Sequence, residues 1–192
     1  MIYDPNFPEI LQTTFAITAE TRQRMINTVL SQKDIGNYYG GYTFRVVDTE
    51  QGDFKKLYNY TIECTEKIFG KLMLAPKNRS WCWANVYNKD SFRTNMHEHK
   101  GTCSINAIYY LKIPDDIANN EGGLSLVKDE KLYGTFQPDE GDLVIMPSYV
   151  PHEPQYHSST DYRIAINMEI ATSNHSSKYY TKENIYANAT IL

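Results

Sequence analysis

Cysteine is scarce in this chain. Its 192 residues contain three, Cys64, Cys82 and Cys103, widely spaced and odd in number. None forms a Cys-x-x-Cys pair, so a disulfide framework is excluded, and a reducing, cytosolic setting is the expectation. Positive charge is also short: 19 Lys and Arg stand against 23 Asp and Glu, for a net charge of −4. Without a basic footprint, nucleic acid is a disfavoured partner. No apolar run approaches the ~18 residues of a membrane helix, so no membrane partner is expected. The stretch MIYDPNFPEI has no basic start and no apolar centre, and does not read as a secretory signal. For that reason the Asn-Ala-Thr sequon at 188–190 is set aside. Internal repeats and low-complexity segments are absent.

Aromatic residues are plentiful. They make up 13% of the chain, with 16 tyrosines. Tyr-rich strands fit that composition better than a helical bundle. The length suits one domain, residues 1–192, with a core that needs no staple. Helices are expected early. Residues 19–32 place Met25, Val29 and Leu30 at helical spacing behind Thr18 as N-cap. Residues 53–74 carry a stripe of Phe54, Leu57, Tyr58, Ile62, Thr65, Ile68, Phe69 and Leu72. A short strand is expected in the first 17 residues and another at 42–47.

From residue 79 the period changes to two. Strands are expected over SWCWANVYN, 104–114, 122–127, near Tyr133–Phe136, 141–147 and 162–170, separated by Pro-, Gly-, Asp- and Ser-rich turns. Short strands broken by turns predict a mainly β sandwich or barrel with flanking helices. The organisation is then a helical support at 1–78, a β core at 79–170 and a C-terminal extension at 171–192, either a tail or an added edge strand.

Five histidines are present, and two of them sit in NMHEHKGTCS. In an extended chain His97 and His99 share one face while Glu98 faces the other way. A third, His152, follows 53 residues after His99, in a segment stiffened by Pro147 and Pro151. Three nitrogen ligands on one side of a metal leave positions open opposite, which is the layout of a catalytic centre. Eleven residues beyond His152 comes Arg163 in YRIAINMEI. Alternation puts Arg163, Ala165, Asn167 and Glu169 on one face and Ile164, Ile166, Met168 and Ile170 on the other. An inward guanidinium needs an anion, and it grips a carboxylate with two parallel bonds. A structural bridge to Glu169 or another acid is the simpler alternative.

This order of His97, His99, His152 and Arg163 resembles the Fe(II)/2-oxoglutarate-dependent dioxygenases. The segments IYYLKIPDD, GGLSLV, PDEGDLVIMPSYVPHEP and YRIAINMEI are similar to the prolyl-hydroxylase-like branch, including uncharacterised oxygenases of phages and marine bacteria. The resemblance covers 81–170. It implies a double-stranded β-helix, the cupin-like jelly roll, braced by the N-terminal helices. It implies Fe(II) on His97, His99 and His152, and 2-oxoglutarate held at its far carboxylate by Arg163. Tyr110, Asn106 and Asn85, inward on neighbouring strands, are the further cofactor-binding candidates. The implied reaction decarboxylates 2-oxoglutarate to succinate and CO2 and uses O2 to hydroxylate a small-molecule or peptide substrate. The implied protein is intracellular, compatible with a phage origin and with an oligomer.

One position departs from the family pattern: His99 stands where most members carry Asp or Glu. Three neutral imidazoles leave the site about one charge unit more positive. Either all three histidines are ligands, or two are and something else fills the third place. Two other functions stay open. A cupin-like three-histidine metalloenzyme would not use 2-oxoglutarate, but cupins carry a Glu shortly after H-x-H, where this chain has Cys103 and Ser104. A non-catalytic jelly-roll binding module would have no use for the histidines. His157 and His175 read as solvent-exposed, Trp81 and Trp83 as core residues, Cys103 as a small buried hydrophobe, and Gly122–Gly123 as a turn.

Overall fold

The computed structural model describes residues 2–3, 10–32, 44–75, 80–91, 93–128, 131–173 and 189–190. In chain order its elements are β1 (Ile2–Tyr3), β2 (Leu11–Thr14), α1 (Ala19–Ser31), β3 (Phe44–Val46), α2 (Gly52–Phe69) and β4 (Lys71–Leu72). Then follow β5 (Trp81–Tyr87), β6 (Ile105–Lys112), β7 (Leu124–Lys128), β8 (Lys131–Phe136), β9 (Asp142–Pro147), β10 (His152–Pro154), β11 (Arg163–Ile170) and β12 (Ala189–Thr190).

Helix α1 starts where the Thr18 side chain accepts a hydrogen bond from Thr21 N at 3.2 Å. That cap satisfies one of the orphan amides of a first turn. Its buried face is Met25, Ile26 and Val29. Leu30, expected on that face, is exposed, because it lies about 100° around the helix from Val29. Helix α2 buries Phe54, Leu57, Tyr58, Thr61, Cys64, Thr65 and Phe69. It ends at Phe69 rather than at residue 74. Gly70 takes φ of 80°, a left-handed conformation open to glycine, and its N–H donates to Glu66 O at 2.9 Å. Leu72 keeps its apolar role, but from a strand that pairs with β12.

Seven strands form the larger sheet in the order β1-β2-β9-β6-β11-β5-β3, and all its pairs are antiparallel. The smaller sheet is β10-β7-β8, also antiparallel. Period-two alternation splits the central strands between two cores. Ile164, Ile166, Met168 and Ile170 of β11, with Cys82, Ala84 and Val86 of β5 and Ile105, Ala107, Tyr109 and Leu111 of β6, pack against the helices. Ile108 and Tyr110 of β6, Ala165 of β11, and Val144 and Met146 of β9 face Leu124 and Leu126 of the smaller sheet. The result is the mainly β jelly roll, helix-braced on one side, that the strand pattern and the resemblance led us to expect. Each fully buried Leu or Ile contributes roughly 1.5–3 kcal/mol.

Two local devices keep the layers in place. Arg22 of α1 pairs with Glu140 in the turn before β9, and Glu140 also accepts from Ile113 N at 3.1 Å. Phe15 sets its ring against Tyr60 at 5.1 Å and Tyr109 at 5.8 Å. Between residues 79 and 170 the expected strand ends hold to within one or two residues, with one addition there. His152 was placed in a loop; it opens β10, opposite Leu126 of β7.

Candidate metal centre

Strands β5, β11 and β6 form one wall of the space between the sheets. Their register aligns the inward residues in rows: Ala165 stands opposite Asn85 and Tyr110, Asn167 opposite Trp83 and Ile108, and Glu169 opposite Asn106. Arg163 stands opposite Tyr87. The other wall is the smaller sheet, extended at its edge by the residues around His97. That extension is not a regular strand. It is one antiparallel bridge, His97 N to His152 O at 3.0 Å and His152 N to His97 O at 2.9 Å, followed by His99 N to Ser148 O at 2.7 Å.

These backbone bonds bring His97, His99 and His152 together. Their ring centroids lie 4.5–5.2 Å apart. One ligand-type nitrogen from each falls within 4.8 Å of the others. Glu98 points elsewhere and pairs with Lys100, as the alternation predicts. The remaining nitrogens set the tautomers. His97 Nδ1 lies 2.6 Å from Asn95 O, His152 Nδ1 lies 2.9 Å from Val150 O, and His99 Nδ1 lies 2.5 Å from Glu169 Oε1. Carbonyl and carboxylate oxygens accept, so each Nδ1 donates and each Nε2 keeps its lone pair. Burial holds the His97 pKa below its usual value. Burial, reinforced by its two histidine neighbours, lowers that of His152 to about 3. Both rings are therefore neutral near pH 7, the form that ligates a metal.

Arg163 is 2% exposed. Its Nε has no hydrogen-bond partner, and it forms no ion pair among the described residues. The bridge to Glu169 does not form: six residues along a strand put their Cα atoms about 20 Å apart, and Glu169 is engaged by His99. The Arg163 guanidinium carbon instead lies 5.0 Å from the Tyr110 ring centroid. Tyr110 is fully buried, its hydroxyl has no partner, and burial pushes its pKa up to about 12, so the phenol keeps its proton. Asn85 accepts from Trp83 Nε1 at 3.0 Å. Asn106 Nδ2 is 3.3 Å from His152 Nε2, and its buried Oδ1 has no partner.

A cavity of about 120 Å³ joins the histidines to Arg163, Tyr110 and Asn85, with Trp83, Tyr87, Thr94 and Asn167 on its walls. Asn106 does not line it. Buried charges normally have partners, so a guanidinium without a counter-ion, beside a buried phenol in one cavity, calls for an acceptor there. A dicarboxylate beside a divalent metal fits that donor set: three lone pairs for the metal and two donors for the far carboxylate. Three earlier expectations change. Trp81 is 54% exposed and Trp83 lines the cavity, so neither is a core residue. His157 is 2% exposed, buried beside Gly122. Cys103 is buried as expected, and His175 lies outside the described residues. The residue the sequence did not single out as functional is Glu169. Its inward place on β11 was readable; its partner was not.

This sandwich and its histidine cluster define a jelly-roll protein with a candidate three-histidine metal centre. Residues 81–169 match the family model described as "Putative 2OG-Fe(II) oxygenase". That match, the fold and the three-histidine group agree on an oxygenase that uses Fe(II) and 2-oxoglutarate. Its fold is similar to a Pseudomonas putida prolyl-4-hydroxylase (TM-score 0.63, 14% identity, 86% of this chain and 94% of that one). It is also similar to a viral collagen prolyl hydroxylase from Paramecium Bursaria Chlorella virus-1 in a 2OG complex (TM-score 0.63, 11% identity, 86% and 97%). A third similar structure is a Trichoplax adhaerens prolyl hydroxylase with a hypoxia inducible factor peptide fragment (TM-score 0.59, 14% identity, 96% and 89%). No curated protein matches the chain in sequence. Among the described residues no helix is long and apolar enough to cross a membrane.

Proposed function

We propose that His97, His99 and His152 hold the iron through their Nε2 atoms, and that Arg163 grips the far carboxylate of 2-oxoglutarate. Tyr110 donates a second hydrogen bond to that carboxylate. Asn106 contacts the same His152 Nε2 and withdraws from it when the iron binds, and Asn85 lines the wall on the substrate side. When bound, the iron and 2-oxoglutarate supply the oxidising chemistry that turns a substrate C–H into C–OH, with succinate and CO2 as co-products. The chain's own residues orient and shield. The Nδ1 bonds lock the three rings, the buried guanidinium pins one end of the co-substrate, and the apolar wall of Ile108, Leu124 and Ala165 limits water.

The reacting part of the substrate is a neutral group of a small molecule or a peptide. Apart from the histidines, Arg163 is the only charged residue on the cavity wall among the described residues, and the cofactor takes it up. The observation that carries the proposal is the buried Arg163, without a counter-ion among the described residues, beside Tyr110 in the same cavity as the three imidazoles. The test is succinate formation from 2-oxoglutarate with Fe(II) and O2, with Arg163→Ala as control. Failure of the wild type both to turn over and to bind 2-oxoglutarate would overturn the assignment of Arg163. The all-imidazole set favours one second reading, a three-histidine metalloenzyme without 2-oxoglutarate; metal binding with no 2-oxoglutarate binding would select it.

A further inference from the structure

Glu169 is 8% exposed and ends the inward row of β11. Its Oε1 lies 2.5 Å from His99 Nδ1 and accepts from Thr102 Oγ1 at 2.9 Å. Among the described residues no lysine or arginine pairs with it. A buried carboxylate without a cation is costly. Its nearest polar partner is one of three rings that converge on a shared space, and a divalent metal there supplies the missing positive charge across the imidazole. His99 is also the position where the family pattern would place a carboxylate.

We propose that Glu169 is a positioning residue that returns, through His99, the negative charge a carboxylate ligand would have brought to the iron. Three features support this. The bond fixes the His99 tautomer and the plane of its ring. An imidazole that donates to a carboxylate is a stronger electron donor at Nε2 than one that donates to a carbonyl. His97 and His152 donate to carbonyls, Asn95 O and Val150 O, so His99 alone carries the charged partner. Thr102 moderates the effect by sharing the same oxygen.

This inference rests on the proposed iron site, and the experiment separates the two. Wild type, Glu169→Gln and Thr102→Val are titrated anaerobically with Fe(II), and the Fe(III)/Fe(II) potential of each complex is measured. Glu169→Gln keeps an acceptor for His99 and removes the charge. It is expected to weaken Fe(II) binding about ten- to a hundredfold and to raise the potential. Thr102→Val, at an exposed position, frees Oε1 for His99 and is expected to lower the potential. A merely structural role for Glu169 would move neither potential. No Fe(II) binding by the wild type overturns the site itself. Binding with unchanged potentials in both variants overturns this inference alone. Should Glu169→Gln not fold, an unmoved potential in Thr102→Val overturns it.

Discussion

The Arg163 guanidinium stands over the ring of Tyr110, 5.0 Å from its centroid, on two adjacent strands of the larger sheet. Both side chains are buried, and the Arg163 Nε and the Tyr110 hydroxyl lack partners. A charge held this way costs stability until an anion arrives. Arg163→Met is therefore expected to stabilise the ligand-free protein, by about 1–4 kcal/mol where buried charges are replaced by apolar side chains. It is also expected to abolish the rise in melting temperature that 2-oxoglutarate gives the wild type. Thermal melts with and without 2-oxoglutarate check both. Destabilisation in the absence of ligand would mean that Arg163 already has a structural partner.

Tyr110→Phe deletes one hydroxyl from the same cavity and leaves the ring in place. A net hydrogen bond of about 0.5–1.5 kcal/mol converts to roughly a two- to tenfold weaker 2-oxoglutarate affinity. Isothermal titration measures it. An unchanged Kd would remove Tyr110 from the cofactor site.

The pH dependence follows from His152. Its pKa falls from 6.5 unfolded to about 3 folded, chiefly through burial. Between those values the unfolded chain binds the extra proton and the folded chain does not. Stability of the metal-free protein therefore rises with pH through this window and is lost as pH falls from about 6.5 toward 3. His97 is shifted in the same direction by the same cause. Chelator-treated wild type and His152→Gln should both unfold more readily in acid, with the shallower dependence in the variant. Equal slopes in denaturant titrations at pH 7, 5.5 and 4.5 would contradict this.

Gly123 leads into β7, and a Cβ there would meet Phe136 O at 2.9 Å and the Thr135 and Gln137 side chains at 2.5 and 2.8 Å. The carbonyl belongs to the paired strand β8 and cannot swing aside. Gly123→Ala is expected to cost about 1–3 kcal/mol by overpacking, and to loosen the sheet that carries His152. Denaturant unfolding together with Co(II) affinity reads both effects.

Much of this was legible in the chain. The alternation of YRIAINMEI placed Arg163, Asn167 and Glu169 inward, because a strand's period of two needs no knowledge of its neighbours. The helix stripe at Phe54, Leu57 and Tyr58 was readable for the same kind of reason. The end of α2 was misread by five residues, since the apolar period runs on to Leu72 and the stop depends on Gly70. Trp81 and His157 were misread in opposite directions. Burial depends on which layer covers a residue, and residue type speaks to that only on average.

The sequence by itself determined the periodicities, the spacing of three histidines and one arginine, and the substitution of His99 for a carboxylate. These are properties of residues near one another or of their order. Only the tertiary structure decided that Glu169 meets His99, 70 residues away, that Arg163 is left without a counter-ion, and that Tyr110 shares its cavity. Those facts depend on strand register between β5, β6 and β11, where a slip of one residue would turn every inward side chain outward.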